Sequence, residues 1–174
     1  EVYLDRLRAG QPIIVPGDGN SLWVACHVDD VARAFVAAVG NSRTCGQSYH
    51  VTGEEWMTWN QYHQRVAEAI GAPAPVLVHI PTELLLKVAP ERTALVAENF
   101  QFNTIFDNAA ARTDLKFRYT IPWLEGVRRT VACLEKNPTP ERRASTVSSA
   151  AGGRLKMPML SCGQAFTHSR QNVQ

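Results

Sequence analysis

The sequence predicts an α/β fold, a small mixed sheet with packed helices, followed by a disordered C-terminal tail. Three observations carry that prediction. Strand-type and helix-type segments alternate through residue 137. Val31, Ala34, Phe35, Ala38 and Val39 recur at i, i+3, i+4, i+7 and i+8, the spacing of one buried helical stripe. Beyond Pro138 both periods give way to a stretch rich in Ser, Ala, Pro, Arg and Gly, too poor in apolar residues to offset the entropy of ordering.

Taken in order, Val2–Ala9 reads as the end of a helix stopped by Gly10. Pro12 to Val15 is a short strand closed by the turn cluster Pro16-Gly17-Asp18-Gly19-Asn20. A second strand is expected over 22–28. The striped helix follows, with Asp29 and Asp30 at its N-terminus, where carboxylates accept orphan N–H groups and meet the positive end of the dipole. Gly40 and Asn41 end it. Gln47–Thr52 reads as a strand with Tyr49 and Val51 on one face. Thr58 and Gln61 have capping-box spacing, and Trp59, Tyr62, Val66 and Ile70 then mark the inner face of a helix ending at Gly71. Pro75–Ile80 is a strand alternating Val76, Val78 and Ile80. Pro81–Ala97 predicts short helices broken near Pro90. Asp107 caps a short helix to Leu115. Pro122 opens the last helix, whose stripe is Trp123, Val127, Val131 and Leu134.

The 174 residues suffice for one domain with a real core, and 45% hydrophobic with 20% charged is ordinary for a globular chain. No apolar run approaches the roughly 20 residues that cross a bilayer, so no membrane partner is expected and the chain reads as cytoplasmic. No basic segment followed by an apolar one opens the chain. It begins on Glu1, inside a helix already in progress, which predicts truncation of a longer protein. Cys26, Cys45, Cys133 and Cys162 form no CxxC pair and read as buried thiols rather than metal ligands. From Pro138 onward Arg142, Arg143, Arg154, Lys156 and Arg170 face Glu141 alone, a balance of +4 that leaves −2 on residues 1–137. The body therefore lacks the electrostatic footprint of nucleic-acid binding. Arg142-Arg143-Ala144-Ser145 has the shape of a basic-directed kinase site.

Much expected chemistry is missing. A phosphate cradle needs a Gly-rich turn between strand and helix, because only glycine lets the backbone approach a pyrophosphate. The chain has no GxGxxG or GxxGxxG, and Gly17-Asp18-Gly19 falls between two strands. No GxSxG elbow occurs, and adjacent Asp29 and Asp30 point apart on a helix. His50 and His63 read as surface or core residues. His27, at the carboxyl end of a strand and just before the striped helix, stands where ligands collect in open α/β sheets.

Four stretches carry a family resemblance. They are Pro16-Gly17-Asp18-Gly19, Trp23–Ala34 (WVACHVDDVARA), Gly46–Gly53 (GQSYHVTG), and Phe106–Phe117 with Thr120–Val131. In this order they resemble the C-terminal half of extended short-chain dehydrogenases/reductases, the NAD-dependent epimerase/dehydratase proteins, over roughly residues 1–137. The resemblance implies the C-terminal part of a Rossmann-type fold whose N-terminal half, absent here, binds NAD or NADP and carries the Tyr-x-x-x-Lys pair. Neither motif occurs in this sequence, so no catalytic, cofactor or metal residue carries over, and the chain alone is expected to bind no cofactor.

What carries over is substrate-side. Ile14, Val15 and Pro16 correspond to a segment lining the nucleobase site, and His27 is a candidate ligand contact. Trp23 falls where sugar-nucleotide members have an arginine that grips the diphosphate with bonds an indole cannot make. Trp23 has two readings, a substrate contact and a half-buried packing residue. His50 replaces the family's usual asparagine. Tryptophan at the position of Trp23 is also found in a looser subgroup that includes relatives of chloroplast stem-loop RNA-binding proteins, which keeps RNA as an alternative partner. The expected function is thus the substrate-binding portion of an epimerase, dehydratase or reductase, inactive alone, taking a small-molecule substrate together with the missing half. The intact form is compatible with a homodimer. Without that half, the stripes at Val31–Val39 and Trp123–Leu134 lose burial, at about 1.5–3 kcal/mol per exposed side chain, which predicts a marginal, aggregation-prone chain.

Overall fold

The computed structural model describes residues 2–137. The expected tail, its kinase-type motif and Cys162 lie outside them. Among the described residues no helix is long and apolar enough to cross a membrane.

Helix α1 (Val2–Arg8) ends at Gly10, whose φ of 62° lets the next amides return to the Leu7 and Arg6 carbonyls. β1 (Ile13–Pro16) follows, then the turn, then β2 (Leu22–Trp23). The expected strand over 22–28 stops five residues short, at Trp23, and helix α2 (Val28–Ala38) begins on what would have been its last residue. Strand β3 (Met57–Thr58) leads directly into α3 (Trp59–Ala69), whose capping box is complete: Gln61 N donates to Thr58 Oγ1 and Thr58 N to Gln61 Oε1. β4 (Leu77–Ile80), α4 (Thr82–Val88), α5 (Pro90–Leu95), a π turn over Val96–Phe100, α6 (Ala109–Asp114) and α7 (Trp123–Lys136) complete the order.

The mixed pairing is split between two small sheets. β1 and β4 run parallel, from Ile13 opposite Leu77 to Pro16 opposite Ile80. β2 and β3 run antiparallel, Leu22 opposite Thr58 and Trp23 opposite Met57. The main core gathers Leu4, Leu7, Ile13, Trp23, Met57, Tyr62, Val66, Trp123, Val131 and Leu134, so α1, α3 and α7 pack on one another and on the sheets' inner faces. A smaller cluster joins Ala34 to Ala111, Leu115 and Phe117.

Several expectations are corrected. Gln47–Thr52 is not a strand: a ladder needs a neighbouring strand, and none lies beside it among the described residues. Asn108 stands in for one, accepting from Thr52 N at 3.0 Å and donating to Thr52 O at 2.8 Å. Val76 and Val78 face outward, 50% and 40% exposed, so the inward face of that strand is not theirs. The expected stripe of α2 is buried only at Val31 and Ala34, while Phe35 and Val39 are 62% and 83% exposed. Cys45 and Cys133 are exposed rather than buried, and Cys26 is half-buried. Pro122 is the residue flanking α7 rather than a member of its first turn. Neither Asp29 nor Asp30 caps α2; His27 does.

Candidate functional site

Two loci flank the sheets where the sequence placed its candidates. The first is the carboxyl end of parallel strands β1 and β4, the edge at which such sheets present ligands. Ile13 and Val15 point into the core, Val15 fully buried, while Ile14 and Pro16 are half-buried on the other face. Gly17 N bonds the Ile80 carbonyl, which ties the turn to the end of β4. Asn60, at the start of α3, fills the turn: its Nδ2 donates to Asp18 O at 3.0 Å, its backbone N donates to Gly19 O, and its Oδ1 lies 2.7 Å from His79 Nε2. Gly19 has φ 70° and no room for a Cβ, which would collide with the Asn60 amide and Val15. Hydrogen bonds from Asn20 hold the exposed Asp18 carboxyl below its ordinary range. The turn is therefore closed by a side chain and carries an anion. It does not fit a pyrophosphate.

The second locus surrounds His27. Its Nδ1 accepts from Asp29 N at 3.2 Å, so the ring caps α2 and its own proton belongs on Nε2. The ring lies against Gly126 of α7, where a Cβ would meet His27 Cδ2 at 3.3 Å. Asp29, Arg129 and Glu125 continue the contact at the surface, with Arg129 Nε bonding Glu125 at 2.8 Å. That bond and the nearby guanidinium charges hold the Glu125 carboxyl low. Beneath His27 is a cavity of about 50 Å³, bordered by Cys26, Tyr62, Tyr119, Trp123 and Gly126 among others. That is room for a few waters at most. Burial pushes the Cys26 thiol up to about 11, so it is no ready nucleophile. Trp123 Nε1 is the buried side-chain polar atom left without a partner among the described residues.

Two carboxylates shape this locus, one expected only at a helix start and one not expected at all. Asp30, fully buried, accepts from Thr120 N at 3.0 Å, Ile121 N at 3.0 Å and Thr120 Oγ1 at 2.7 Å, and pairs with Arg33. Glu55 accepts from Trp123 N at 2.7 Å and from the Tyr119 phenol at 2.8 Å, so it caps α7 from outside the helix. Burial, and then that bond to Glu55, push the Tyr119 phenol above its usual range. Together they fix residues 119–123. Gly53 permits the approach: a Cβ there would strike the Ala25 carbonyl. Asp30 was legible as a helix-start residue but not as a clamp. Glu55 left no sequence signal, because its partners lie 64 and 68 positions away.

Trp23 is packed more deeply than the half-buried residue expected. It is 3% exposed, with ring centroids 5.0 Å from Trp59 and 5.1 Å from Tyr62. Tyr62 in turn stands 5.5 Å from Trp123, so Trp23 and the cavity beside His27 share one aromatic wall. Ile14, Val15 and Pro16 belong to the other locus. The structure thus brings Trp23 and His27 to one aromatic layer and leaves β1's triplet at the sheet end. No cluster of three His, Cys, Asp or Glu among the described residues could hold a metal.

Residues 2–52 match the NAD dependent epimerase/dehydratase family. The chain is 35% identical over 79 residues to the chloroplast stem-loop binding protein of 41 kDa b of Arabidopsis thaliana, covering 45% of this chain and 21% of that protein. It is 30% identical over 131 residues to UDP-glucose 4-epimerase of Mycolicibacterium smegmatis, covering 75% of this chain and 36% of the enzyme. Its fold is similar to that of dTDP-glucose 4,6-dehydratase from Bacillus anthracis, crystallised with NAD, at a TM-score of 0.59 and 15% identity, over 78% of this chain and 38% of that one. The resemblance read from the sequence is borne out by the match over residues 2–52 and by the likeness of fold, and the chain spans well under half the length of these relatives.

Proposed function

We propose, from that kinship, that the chain is the substrate-side portion of an NAD(P)-dependent epimerase, dehydratase or reductase-like protein, and that alone it is inactive. In this reading residues 1–137 are that portion and 138–174 an appended tail. The observation that carries it is the outer face of α2. Ala32, Phe35, Val36 and Val39 recur at i, i+3, i+4 and i+7 and are all exposed, Val36 at 74%. A helix with two apolar faces is built to be covered on both. The segment 47–52, which has no strand beside it among the described residues, points the same way, and the relatives have well over half their length beyond what this chain covers. The remainder of the fold packs there, bringing NAD or NADP with it. Ile14, Pro16 and His27 then face substrate, while Val15 and Trp23 are buried, each beneath its own locus.

The test is a titration of the purified chain with NADH and NADPH, using its four tryptophans as energy donors. No saturable transfer is expected. Saturable binding at micromolar concentration would refute the reading and make the Pro16–Asn20 turn and His27 the first places to mutate.

A second reading, RNA binding, is favoured by the identity to the stem-loop binding protein. The net −2 of residues 1–137 opposes it, leaving phosphate contacts to the basic stretch beyond Pro138. Filter binding over a salt series decides: retention at low salt that collapses as salt rises supports RNA, and no retention at low salt disposes of it.

A further inference from the structure

Trp56 is the exception among the tryptophans. Trp23 and Trp123 are buried, Trp59 is half-buried, and Trp56 is 54% exposed. Its backbone is nevertheless anchored on both sides. Glu54 pairs with Arg112, Glu55 caps α7 and pairs with Arg65, Met57 is 1% exposed in the core, and Thr58 caps α3. A large apolar side chain held in water on a fixed base loses little conformational entropy when it binds something.

Opposite the indole runs one stripe of α3. Gln61, Gln64, Arg65 and Glu68, at i, i+3, i+4 and i+7, are all exposed and with Trp56 and Met57 enclose a groove of about 270 Å³. Gln61 spends its Oε1 on the capping box and keeps its amide donors. Gln64 and Glu68 have no partner among the described residues. Arg65 is paired at 3.5 Å with Glu55, and Glu68 offsets its charge further, so the groove has no surplus of positive charge to hold a phosphate.

An aromatic face on one side, with amide donors and a carboxylate acceptor on the other, matches a ring that has a C–H face and vicinal hydroxyls on its edge. The volume lies at the small end of ligand sites, the size of one ring rather than a dinucleotide. We infer that the Trp56–α3 groove is a binding site for an uncharged pyranose sugar, stacked on the Trp56 indole and hydrogen-bonded by Gln64 and Glu68. It lies on the outer face of α3, joined to the His27 locus only through the Arg65–Glu55 pair, and is independent of the reading proposed for that locus.

The experiment is acrylamide quenching of tryptophan emission in the full chain, titrated with the methyl glycosides of glucose, galactose, mannose and N-acetylglucosamine. Because Trp56 is the indole most open to quencher, a bound sugar protects it. Saturable protection by at least one glycoside is expected, weakened about tenfold or more in Gln64→Ala/Glu68→Ala, with near-UV circular dichroism unchanged. Binding of the same glycoside by calorimetry is lost in Trp56→Ala. Absence of protection by every glycoside overturns the inference, as does calorimetric binding that survives Trp56→Ala. A Trp56-dependent rise in sedimentation coefficient with protein concentration, without sugar protection, also overturns it and makes the groove a contact between copies of the chain.

Discussion

Acidification is expected to release α1 from α3 through a single histidine. His63 is 8% exposed, and burial, helped by the nearby His79, lowers its pKa from 6.5 to about 4. The Tyr3 phenol, which burial keeps protonated, donates to His63 Nδ1 at 2.7 Å, and the two rings stand 5.4 Å apart. A proton on Nδ1 removes that acceptor and places an unpaired charge in the core. The folded pKa lies below the unfolded one, so the unfolded state takes up the proton first. The stabilisation is complete above about pH 6.5 and is lost as pH falls toward about 4. A difference of about 2.5 units corresponds to roughly 3 kcal/mol, against totals of about 5–15 kcal/mol for a domain. Urea unfolding free energies measured at steps from pH 7.5 to 4, marking out that window, should fall more steeply for the natural chain than for His63→Gln, which cannot titrate. The difference between the two curves removes the carboxylate background common to both. Parallel curves would refute the reasoning, because they would mean that His63 is hydrated or already charged in the folded state.

Other outcomes follow from the same geometry. Asp30→Ala strands two backbone amides and the Thr120 hydroxyl, and should cost about 3–5 kcal/mol by thermal or urea melting. Asp30→Asn should cost less, since one acceptor oxygen remains; equal stability of all three chains would show that loop 119–121 is held by something else. Phe35→Ser with Val39→Ser touches only the exposed face of α2, so unfolding free energy should change by no more than about 0.5 kcal/mol. Aggregation and dye binding to apolar surface should both drop. A large loss of stability would mean that this face is already covered.

Each element whose determinants are local could be read from the chain. The Thr58–Gln61 box, the glycine after α1, the break at Pro90 and the stripe of α7 all act over one or two helical turns, and each appears where its residues place it. The family resemblance was local too, carried by short motifs in order. What failed in the reading failed for want of a neighbour. Tyr49 and Val51 alternate as a strand should, yet strandness is a property of a pair, and no partner lies beside them. Phe35 and Val39 have core spacing, but spacing names a face without saying what covers it.

The site divides along the same line. Sequence alone placed His27 at a strand-to-helix junction and raised the possibility that Trp23 packs. Only the tertiary structure made His27 the cap of α2, resting on Gly126, and put Trp23 into a wall with Trp59 and Tyr62. It alone chose Asp30 and Glu55 as the clamps of residues 119–123. Their hydrogen bonds join positions 64 to 91 residues apart, and no periodicity within either segment records such a meeting. Local sequence fixes which backbone groups are left over at helix ends and turns; the packed fold decides which distant side chains satisfy them.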